Sequence, residues 1–204
     1  MKNKGYIFFI VLMNLLSSCR TANKVFIFGE LNNDIKLLLD NSSDKKINYV
    51  FTSSKMYSNH IYKMVSNNSY IYINNKEISF NKSLKKTSYI PIMFIGYSEL
   101  LPYIKISNNN FIIDTKEVDK QLELIDYNVT NIIRIIKEEY NRSLYLFGPI
   151  YNETFAYPEE VLFKTFLVSY EDVLKEICIL NNIEYISCLS SKNEEIVSMI
   201  KSYL

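Results

Sequence analysis

The sequence predicts an α/β fold with three layers, in which helices flank a mainly parallel sheet of about five or six strands. Short apolar runs rich in β-branched and aromatic residues alternate along the chain with segments of helical periodicity. Several of these runs are continuously apolar, which is typical of strands that a parallel sheet buries on both faces. The content of hydrophobic residues, 48%, is high enough to build a large core.

Strands and helices are predicted to alternate in the first half. The run 24–29 is continuously β-prone and ends at glycine, and 47–52 has the same character. Residues 70–74 alternate apolar and polar side chains, as a strand nearer a sheet edge does. Helical spacing marks 31–39 and 57–65 as the helices between these strands, whereas residues 74–87 are charged and irregular.

Further strands are predicted at 89–96, 111–113, 144–148 and 183–188, and residues 100–106 fit either a short helix or a strand. The clearest helix is predicted over about 116–141, after the capping box Asp114-x-x-Glu117. It carries one apolar stripe with three-and-four spacing: Val118, Leu122, Ile125, Val129, Ile132, Ile133, Ile136 and Tyr140.

Two more helices are expected near the end of the chain. Pro158-Glu159-Glu160 is a favourable helix start, because proline suits the first turn and acids face the positive end of the helix dipole. Ser169-x-x-Asp172 is interpreted as a restart after a kink, and the helix continues to Leu180. Ser191-x-x-Glu194 is predicted to cap a terminal helix.

The first nineteen residues are organised like a secretory signal. Lys2 and Lys4 precede an apolar run over 6–16, which is shorter than the about 20 residues that a transmembrane helix needs. Leu16-Ser17-Ser18-Cys19 resembles the lipobox of bacterial lipoproteins, which implies that Cys19 carries a diacylglyceryl group and becomes the N-terminus after cleavage. The alternative is a buried N-terminal helix that ends at a cysteine by chance.

These features predict the domain organisation. Residues 1–18 are expected to be a signal peptide, 19–23 the lipidated cysteine and its tether, and 24–204 a single α/β domain, because no linker rich in Pro, Gly or Ser divides the chain. The chain has 23 basic and 22 acidic residues. This balance provides no basic field for nucleic acid and no polybasic patch beside the anchor.

Three of the four glycines indicate where a ligand would bind. Gly29, Gly96 and Gly148 each end a predicted buried strand, and ligands of parallel α/β sheets bind outside the carboxyl ends of strands. The alternative is that each glycine only turns a strand into a loop. The predicted ligand-binding residues follow these strands and the second strand: Glu30, Asn32, Ser53, Ser54, Tyr97, Ser98, Tyr151 and Asn152, with Asn33, Glu99 and Glu153 as further candidates.

Several kinds of site are not indicated. Glu30-Leu31-Asn32 follows Gly29 where a dinucleotide-binding loop has further glycines, and no Walker-type loop occurs, so no cofactor is predicted. Cys178, Cys188 and the only histidine, His60, do not make a metal site. A disulfide between the two cysteines stays open, because an exported chain can oxidise them while both positions look core-facing.

The second half resembles one lobe of the type I periplasmic binding proteins. The resemblance runs from the helix at 116–141 through Gly148-Pro149 and the long helix to Asn182-Ile-Glu-Tyr-Ile. It implies a solute-binding loop after the strand that ends at Gly148. Those proteins have two lobes and are longer, so a single-lobe or reduced relative is the most that the resemblance implies.

We therefore expect a non-enzymatic lipoprotein of the bacterial cell envelope that binds a small polar solute or an envelope protein at the carboxyl edge of its sheet. The first alternative is a structural or interaction lipoprotein without a small ligand. The second is an anchored hydrolase, for which Phe28-Gly29-Glu30-Leu31 aligns with the Gly-Asp-Ser block of the SGNH family but lacks its serine, and no Gly-x-Ser-x-Gly elbow is present.

Overall fold

The computed structural model describes residues 23–42, 47–52, 56–67, 70–73, 76–85, 89–107, 110–151 and 159–203. Cys19 and the rest of the predicted leader lie outside these ranges. Three predicted ligand-binding residues, Ser53, Ser54 and Asn152, lie outside them as well. Among the helices of the described residues, none has both the length and the apolar character needed to cross a membrane.

Strands and helices alternate along much of the described chain, as predicted, but residues 76–85, which look irregular in the sequence, also form a strand and a short helix. In chain order, the strands of the described residues are β1 (Asn23–Gly29), β2 (Ile47–Phe51), β3 (Tyr70–Ile73), β4 (Lys76–Ser79), β5 (Tyr89–Phe94), β6 (Ile104–Ser107), β7 (Asn110–Ile113), β8 (Tyr145–Phe147) and β9 (Glu184–Ile186). The α-helices are α1 (Asn33–Asp40), α2 (Ser58–Asn67), α3 (Phe80–Lys85), α4 (Thr115–Tyr140), α5 (Glu159–Leu180) and α6 (Asn193–Ser202). A short 3-10 turn, Leu101–Tyr103, precedes β6.

Five strands form a parallel sheet in the order β2-β1-β5-β8-β9, which confirms the predicted α/β architecture with a mainly parallel sheet. This is one of the two common strand orders of doubly wound folds. The alternating side chains of β1 show how the three layers form. Phe26 and Phe28 enter a core shared with α2, α3, α4 and α5, whereas Val25 and Ile27 enter a second core shared with α1 and α6.

The pairing of the strands differs from some of the strand predictions. β2 is an edge strand that pairs with β1, and its residues Ile47 and Phe51 are half-buried, so the prediction that both faces of this strand are buried is wrong. The strand predicted at 70–74 pairs antiparallel with β4 in a separate hairpin, and β6 and β7 form a second hairpin. The hydrophobic pattern identified these strands, but pairing partners depend on contacts distant in sequence.

Two helix boundaries also differ from the prediction. α5 is continuous through Ser169, because the hydroxyl of Ser169 donates to the carbonyl oxygen of Thr165 at 3.3 Å within the same helix instead of capping a new one. α6 begins at Asn193, and the carboxylate of Glu195 accepts from the backbone N–H of Lys192 at 2.9 Å. The predicted cap at Ser191-x-x-Glu194 is therefore one residue too early.

The start of α4 confirms half of its predicted capping box. The carboxylate of Asp114 accepts from the backbone N–H of Glu117 at 3.3 Å. The backbone N–H of Asp114 donates to the carbonyl oxygen of Tyr103 at 2.9 Å, so the helix start is joined to the turn before β6. Four residues with helical spacing, Ile125, Val129, Ile132 and Ile136, are almost completely buried, as the apolar stripe predicts.

Both described cysteines are buried free thiols. Cys178 lies in α5 and Cys188 follows β9, and they do not form the disulfide that the sequence left open. Burial raises the pKa of each thiol from 9.0 to about 12. Neither thiol is therefore ionised near neutral pH, which makes both poor nucleophiles.

A chain that begins at Arg20 is expected to resist thiol reagents while it is folded. At pH 8 Ellman's reagent should titrate both Cys178 and Cys188 after guanidinium is added, and neither before it.

The raised pKa of the two thiols also predicts how the stability of the fold depends on pH. Burial of the protonated thiols contributes fully to the free energy of unfolding below pH 9, and this contribution is lost as the pH rises towards 12. The melting temperature should fall over that interval, and rapid labelling of native protein would contradict the buried positions.

Candidate functional site

The strand order places a topological switch point at the carboxyl ends of β1 and β5. From β1 the chain continues to β2 on one side. β5 pairs with the other side of β1, and the next strand of the main sheet, β8, lies farther out on that side. The connections leave the two neighbouring strands in opposite directions, an arrangement that in doubly wound folds forms a crevice outside the carboxyl ends. Ligands of doubly wound proteins bind in this crevice, so its lining residues are the first candidates for a site.

Two glycines bring the backbone and a carboxylate together at the switch point. Gly29 has a φ of +103°, and a Cβ atom there would collide with the carbonyl oxygen of Phe94 on β5. The next backbone N–H, that of Glu30, donates to the same oxygen at 3.0 Å. A Cβ atom at Gly96 would lie 2.5 Å from the carboxylate carbon of Glu30, so this carboxylate lies directly against the backbone after β5.

Glu99 supplies a second carboxylate, and it caps α2. One of its oxygens accepts from the backbone N–H of Ser58, the first residue of α2, and the other accepts from the Ser58 hydroxyl at 3.0 Å. The side-chain amide of Gln121 on α4 donates to the latter oxygen, also at 3.0 Å. The negative charge therefore lies at the positive end of a helix and is held by donors from two helices.

Tyr170 and Asn128 complete the polar contacts. The buried hydroxyl of Tyr170 on α5 donates to the carbonyl oxygen of Gly96 at 3.0 Å. Burial raises the pKa of Tyr170 well above its usual range, and the charges of Glu30 and Glu99 add to the shift. The hydroxyl therefore stays protonated beside the carboxylates. The side-chain amide of Asn128 on α4 donates to the Ser58 hydroxyl oxygen at 3.2 Å.

These residues form one constellation, which we name the switch-point cluster: Glu30, Ser58, Glu99, Gln121, Asn128 and Tyr170. It joins the ends of β1 and β5 to three helices. Its two carboxylates are half-buried, and carboxylates accept hydrogen bonds without donating any. The arrangement favours ligands that bring donors and positive charge, namely ammonium and hydroxyl groups.

Aromatic side chains cover one side of this edge. Phe163 lies two helical turns before Tyr170 on α5, which is about 10 Å along the helix axis. The ring of Phe163 packs edge-on against Tyr97 with centroids 5.4 Å apart, and its centroid is 6.2 Å from that of Tyr151. Phe111 of β7 lies on the same ring at 6.3 Å.

The structure distributes the predicted ligand-binding residues over different roles. Glu30 lies at the switch point, and Ser98 lies half-buried in the turn after Gly96. Tyr97 is 6% exposed and packs into the aromatic cover. Tyr151 is half-buried there, with the ammonium of Lys164 4.8 Å from the centre of its ring.

Asn32 connects two helix starts. Its side-chain oxygen accepts from the backbone N–H of Ile35 at 2.8 Å, which caps α1. Its amide donates to the side-chain oxygen of Asn193, the first residue of α6, at 3.3 Å. Asn33, the first residue of α1, is exposed. The predicted candidates Ser53, Ser54, Asn152 and Glu153 are not among the described residues.

A third carboxylate lies at the carboxyl ends of β8 and β9. Glu171 of α5 is 5% exposed and accepts from the hydroxyl of Tyr185 at 2.9 Å and from that of Ser187 at 2.6 Å. Lys175 forms an ion pair with its other oxygen at 3.6 Å. A Cβ atom at Gly148 would collide with the Tyr185 hydroxyl, so the absence of a side chain at this third glycine leaves room for the Tyr185 hydroxyl beside Glu171. These contacts satisfy Glu171 within the chain.

Sequence reasoning missed Ser58, Gln121, Asn128 and Tyr170. One signal was available for Asn128, because it interrupts the buried stripe of α4 three residues after Ile125 and one before Val129. A buried polar residue in an apolar stripe needs a partner, which indicates a buried network. Gln121 precedes it by two helical turns and lies on the same side. Nothing local marks Ser58 or Tyr170, whose partners lie 41 and 74 residues away.

The described residues contain no group of three or more His, Cys, Asp and Glu side chains placed to hold a metal ion. The ring of His60 is exposed on α2 and stacks on Tyr57 with centroids 5.5 Å apart. A catalytic base would need a serine or cysteine within hydrogen-bond reach. In the described part of the chain no such contact to His60 is present.

Comparison with known proteins finds no family model that matches the chain and no curated protein with significant sequence similarity.

Proposed function

We propose that this chain is an anchored, non-enzymatic lipoprotein of the bacterial cell envelope that binds a small polar solute at the switch-point cluster. The observation that carries the proposal is the position of Glu30 and Glu99 around Gly96, at the crevice where doubly wound folds bind ligands. Glu30 and Glu99 give the cluster two half-buried carboxylates. The proposed ligand class is therefore a solute with ammonium or hydroxyl donors, such as an amine, an amino acid or a sugar.

A thermal-shift screen of the chain 21–204 tests solute binding. The panel contains polyamines, amino acids, sugars, nucleosides and short peptides. A ligand present at one hundred times its dissociation constant should raise the free energy of unfolding by about 2.7 kcal/mol. For a domain of this size that corresponds to a shift of roughly 5–11 °C in melting temperature.

Glu30→Gln ties a hit to the switch point. It preserves the shape of the side chain but removes a charge-assisted hydrogen bond, so the affinity for an amine ligand should fall about 10- to 100-fold. The matched control is Glu123→Gln, which neutralises an exposed carboxylate on α4 and should leave affinity unchanged. A hit that binds Glu30→Gln as tightly as the parent chain would move the site away from the switch point.

The anchor is tested separately. With the lipobox Leu16-Ser17-Ser18-Cys19, the expected product is a chain that begins at diacylated Cys19. Cys19→Ala should accumulate as full-length, unlipidated precursor, as judged by mass and by metabolic labelling with a palmitate analogue. If Cys19→Ala were still processed and bound to membranes, the anchoring half of the proposal would be wrong.

A structural or envelope-interaction role is the second candidate, and one observation favours it. Three apolar side chains on the outer face of α5 are highly exposed: Val161 at 52%, Leu162 at 46% and Val168 at 49%. Adjacent exposed apolar residues are typical of protein contacts. No shift across the solute panel, together with crosslinks from α5 to an envelope protein, would favour this role.

An anchored hydrolase is the third candidate, and it requires an activity that His60→Ala abolishes.

A further inference from the structure

The predicted anchor and the sheet together determine which edge of the molecule lies near the membrane. β1 begins at Asn23, only four residues after Cys19, and four residues span at most about 14 Å. Because the strands of the main sheet are parallel, β8 and β9 begin at the same edge as β1. A lipid on Cys19 would therefore hold this amino edge close to the bilayer, with the switch-point cluster at the opposite edge.

The last turn of α5 lies at the amino edge and exposes two large apolar side chains. α5 ends at Leu180, directly before the turn into β9. Ile179 and Leu180 are each 77% exposed, the highest values among the large hydrophobic residues of the described chain. The adjacent Cys178 is 1% exposed, so the helix buries one side and leaves its neighbours uncovered. Water-exposed neighbouring aliphatic side chains of this size are typical of an interaction surface.

A cationic pocket lies beside this apolar pair. It has a volume of about 250 Å³, and eight residues line it: Lys137, Arg142, Ser143, Leu144, Tyr145, Asn182, Ile183 and Glu184. The ammonium of Lys137 donates to the carbonyl oxygens of Asn181 at 2.9 Å and Asn182 at 3.4 Å, just after the end of α5. Within the described ranges no carboxylate forms an ion pair with Lys137 or Arg142.

The pocket also contains one carboxylate. Glu184 accepts from the hydroxyl of Tyr203 at 2.6 Å and lies at the start of β9. The two cations can bind the phosphate of a phospholipid headgroup, and the carboxylate can face the ammonium group of a zwitterionic one.

We infer that the amino edge docks on the phospholipid bilayer, with Ile179 and Leu180 entering the headgroup–acyl boundary and Lys137 and Arg142 contacting headgroup phosphates. This inference rests on the anchoring half of the proposed function. The lipid on Cys19 keeps the face at a high effective concentration beside the bilayer, so a contact of two apolar side chains is sufficient to orient the domain. The docked orientation leaves the switch-point crevice open to solutes on the side away from the membrane.

Tryptophan substitutions test the orientation directly, because the chain contains no tryptophan. Leu180→Trp places the only indole at the amino edge. Val161→Trp is the matched control: it lies on the same helix, is 52% exposed, and is about 28 Å away along the helix axis, beyond the carboxyl edge. Each full-length variant is expressed with its native processing and reconstituted into phosphatidylcholine vesicles that contain brominated acyl chains.

Leu180→Trp should show blue-shifted emission and strong quenching by the brominated lipid, while Val161→Trp should show neither. Adding Arg142→Gln to Leu180→Trp should weaken the quenching. Equal quenching at both positions would mean that α5 lies along the membrane, and no quenching at Leu180→Trp would mean that the face stays in water. Either result overturns the docking face.

Mass spectrometry of the N-terminal peptide separates this inference from the proposed anchor. If Cys19 carries no lipid, the anchoring proposal fails, and the same two variants are examined as chains from Arg20 with an N-terminal hexahistidine on nickel-chelating vesicles. All described elements begin at or after Asn23, so this shortened chain retains them. Quenching of Leu180→Trp alone would then support the face without the native anchor, and its absence would overturn the face too.

Discussion

Gly29→Ala is expected to lower the free energy of unfolding by about 3 kcal/mol or more, which corresponds to a loss of roughly 6–12 °C in melting temperature. Two effects add. Gly29 has a φ of +103°, where residues with a side chain are strained, and the new methyl group would collide with the carbonyl oxygen of Phe94. That oxygen belongs to the neighbouring strand and already accepts the Glu30 N–H, so the backbone cannot move away without breaking the contact.

The matched variant is Gly96→Ala, because its new methyl group meets the side chain of Glu30 instead of a strand backbone. A side chain can rotate, so the loss of stability should be clearly smaller than at Gly29. Chemical denaturation of the chains that begin at Arg20 measures both. If Gly29→Ala were as stable as the parent chain, the close approach of β1 and β5 at the switch point would be wrong. Gly96→Ala should instead weaken solute binding by displacing the Glu30 carboxylate.

Phe163→Ala is the second substitution with a large expected effect, a loss of about 3–5 kcal/mol in the free energy of unfolding. Phe163 is completely buried, and its ring contacts Tyr97, Tyr151 and Phe111. Removing it leaves a cavity among aromatic rings that come from three separate segments of the chain. The control is Leu162→Ala on the same turn, where the side chain is 46% exposed and the cost should stay within about 0.5 kcal/mol.

The same experiment separates packing from binding at the two predicted tyrosines. Tyr97→Ala should resemble Phe163→Ala in losing stability, because its ring is 6% exposed and packs on Phe163. Tyr151 is half-buried at the rim of the cover, so Tyr151→Ala should cost less stability. A Tyr97→Ala variant that keeps its stability but no longer binds a solute identified in the screen would place this ring in the ligand site and not in the core.

Much of the fold could be predicted because the long buried elements produce a hydrophobic pattern in the sequence. The continuous apolar run that ends at Gly29 and the stripe of Ile125, Val129 and Ile132 are local consequences of being covered by other layers. Edge positions were harder to predict. β2 has the same residue types as a central strand, but it pairs with only one strand, β1. Which strand becomes its neighbour depends on the packing of the whole sheet.

The candidate site divides in the same way. The sequence by itself determined the alternation of strands and helices, the glycines at the strand ends, and the presence of Glu30 beside the first of them, because these depend on backbone conformation and on residues next to each other. Only the tertiary structure decided that β1 and β5 are neighbours, and that Ser58, Gln121 and Tyr170 meet Glu99 and Gly96. These contacts join groups as much as 74 residues apart, and hydrogen bonds between such groups have no periodicity that a sequence pattern can reveal.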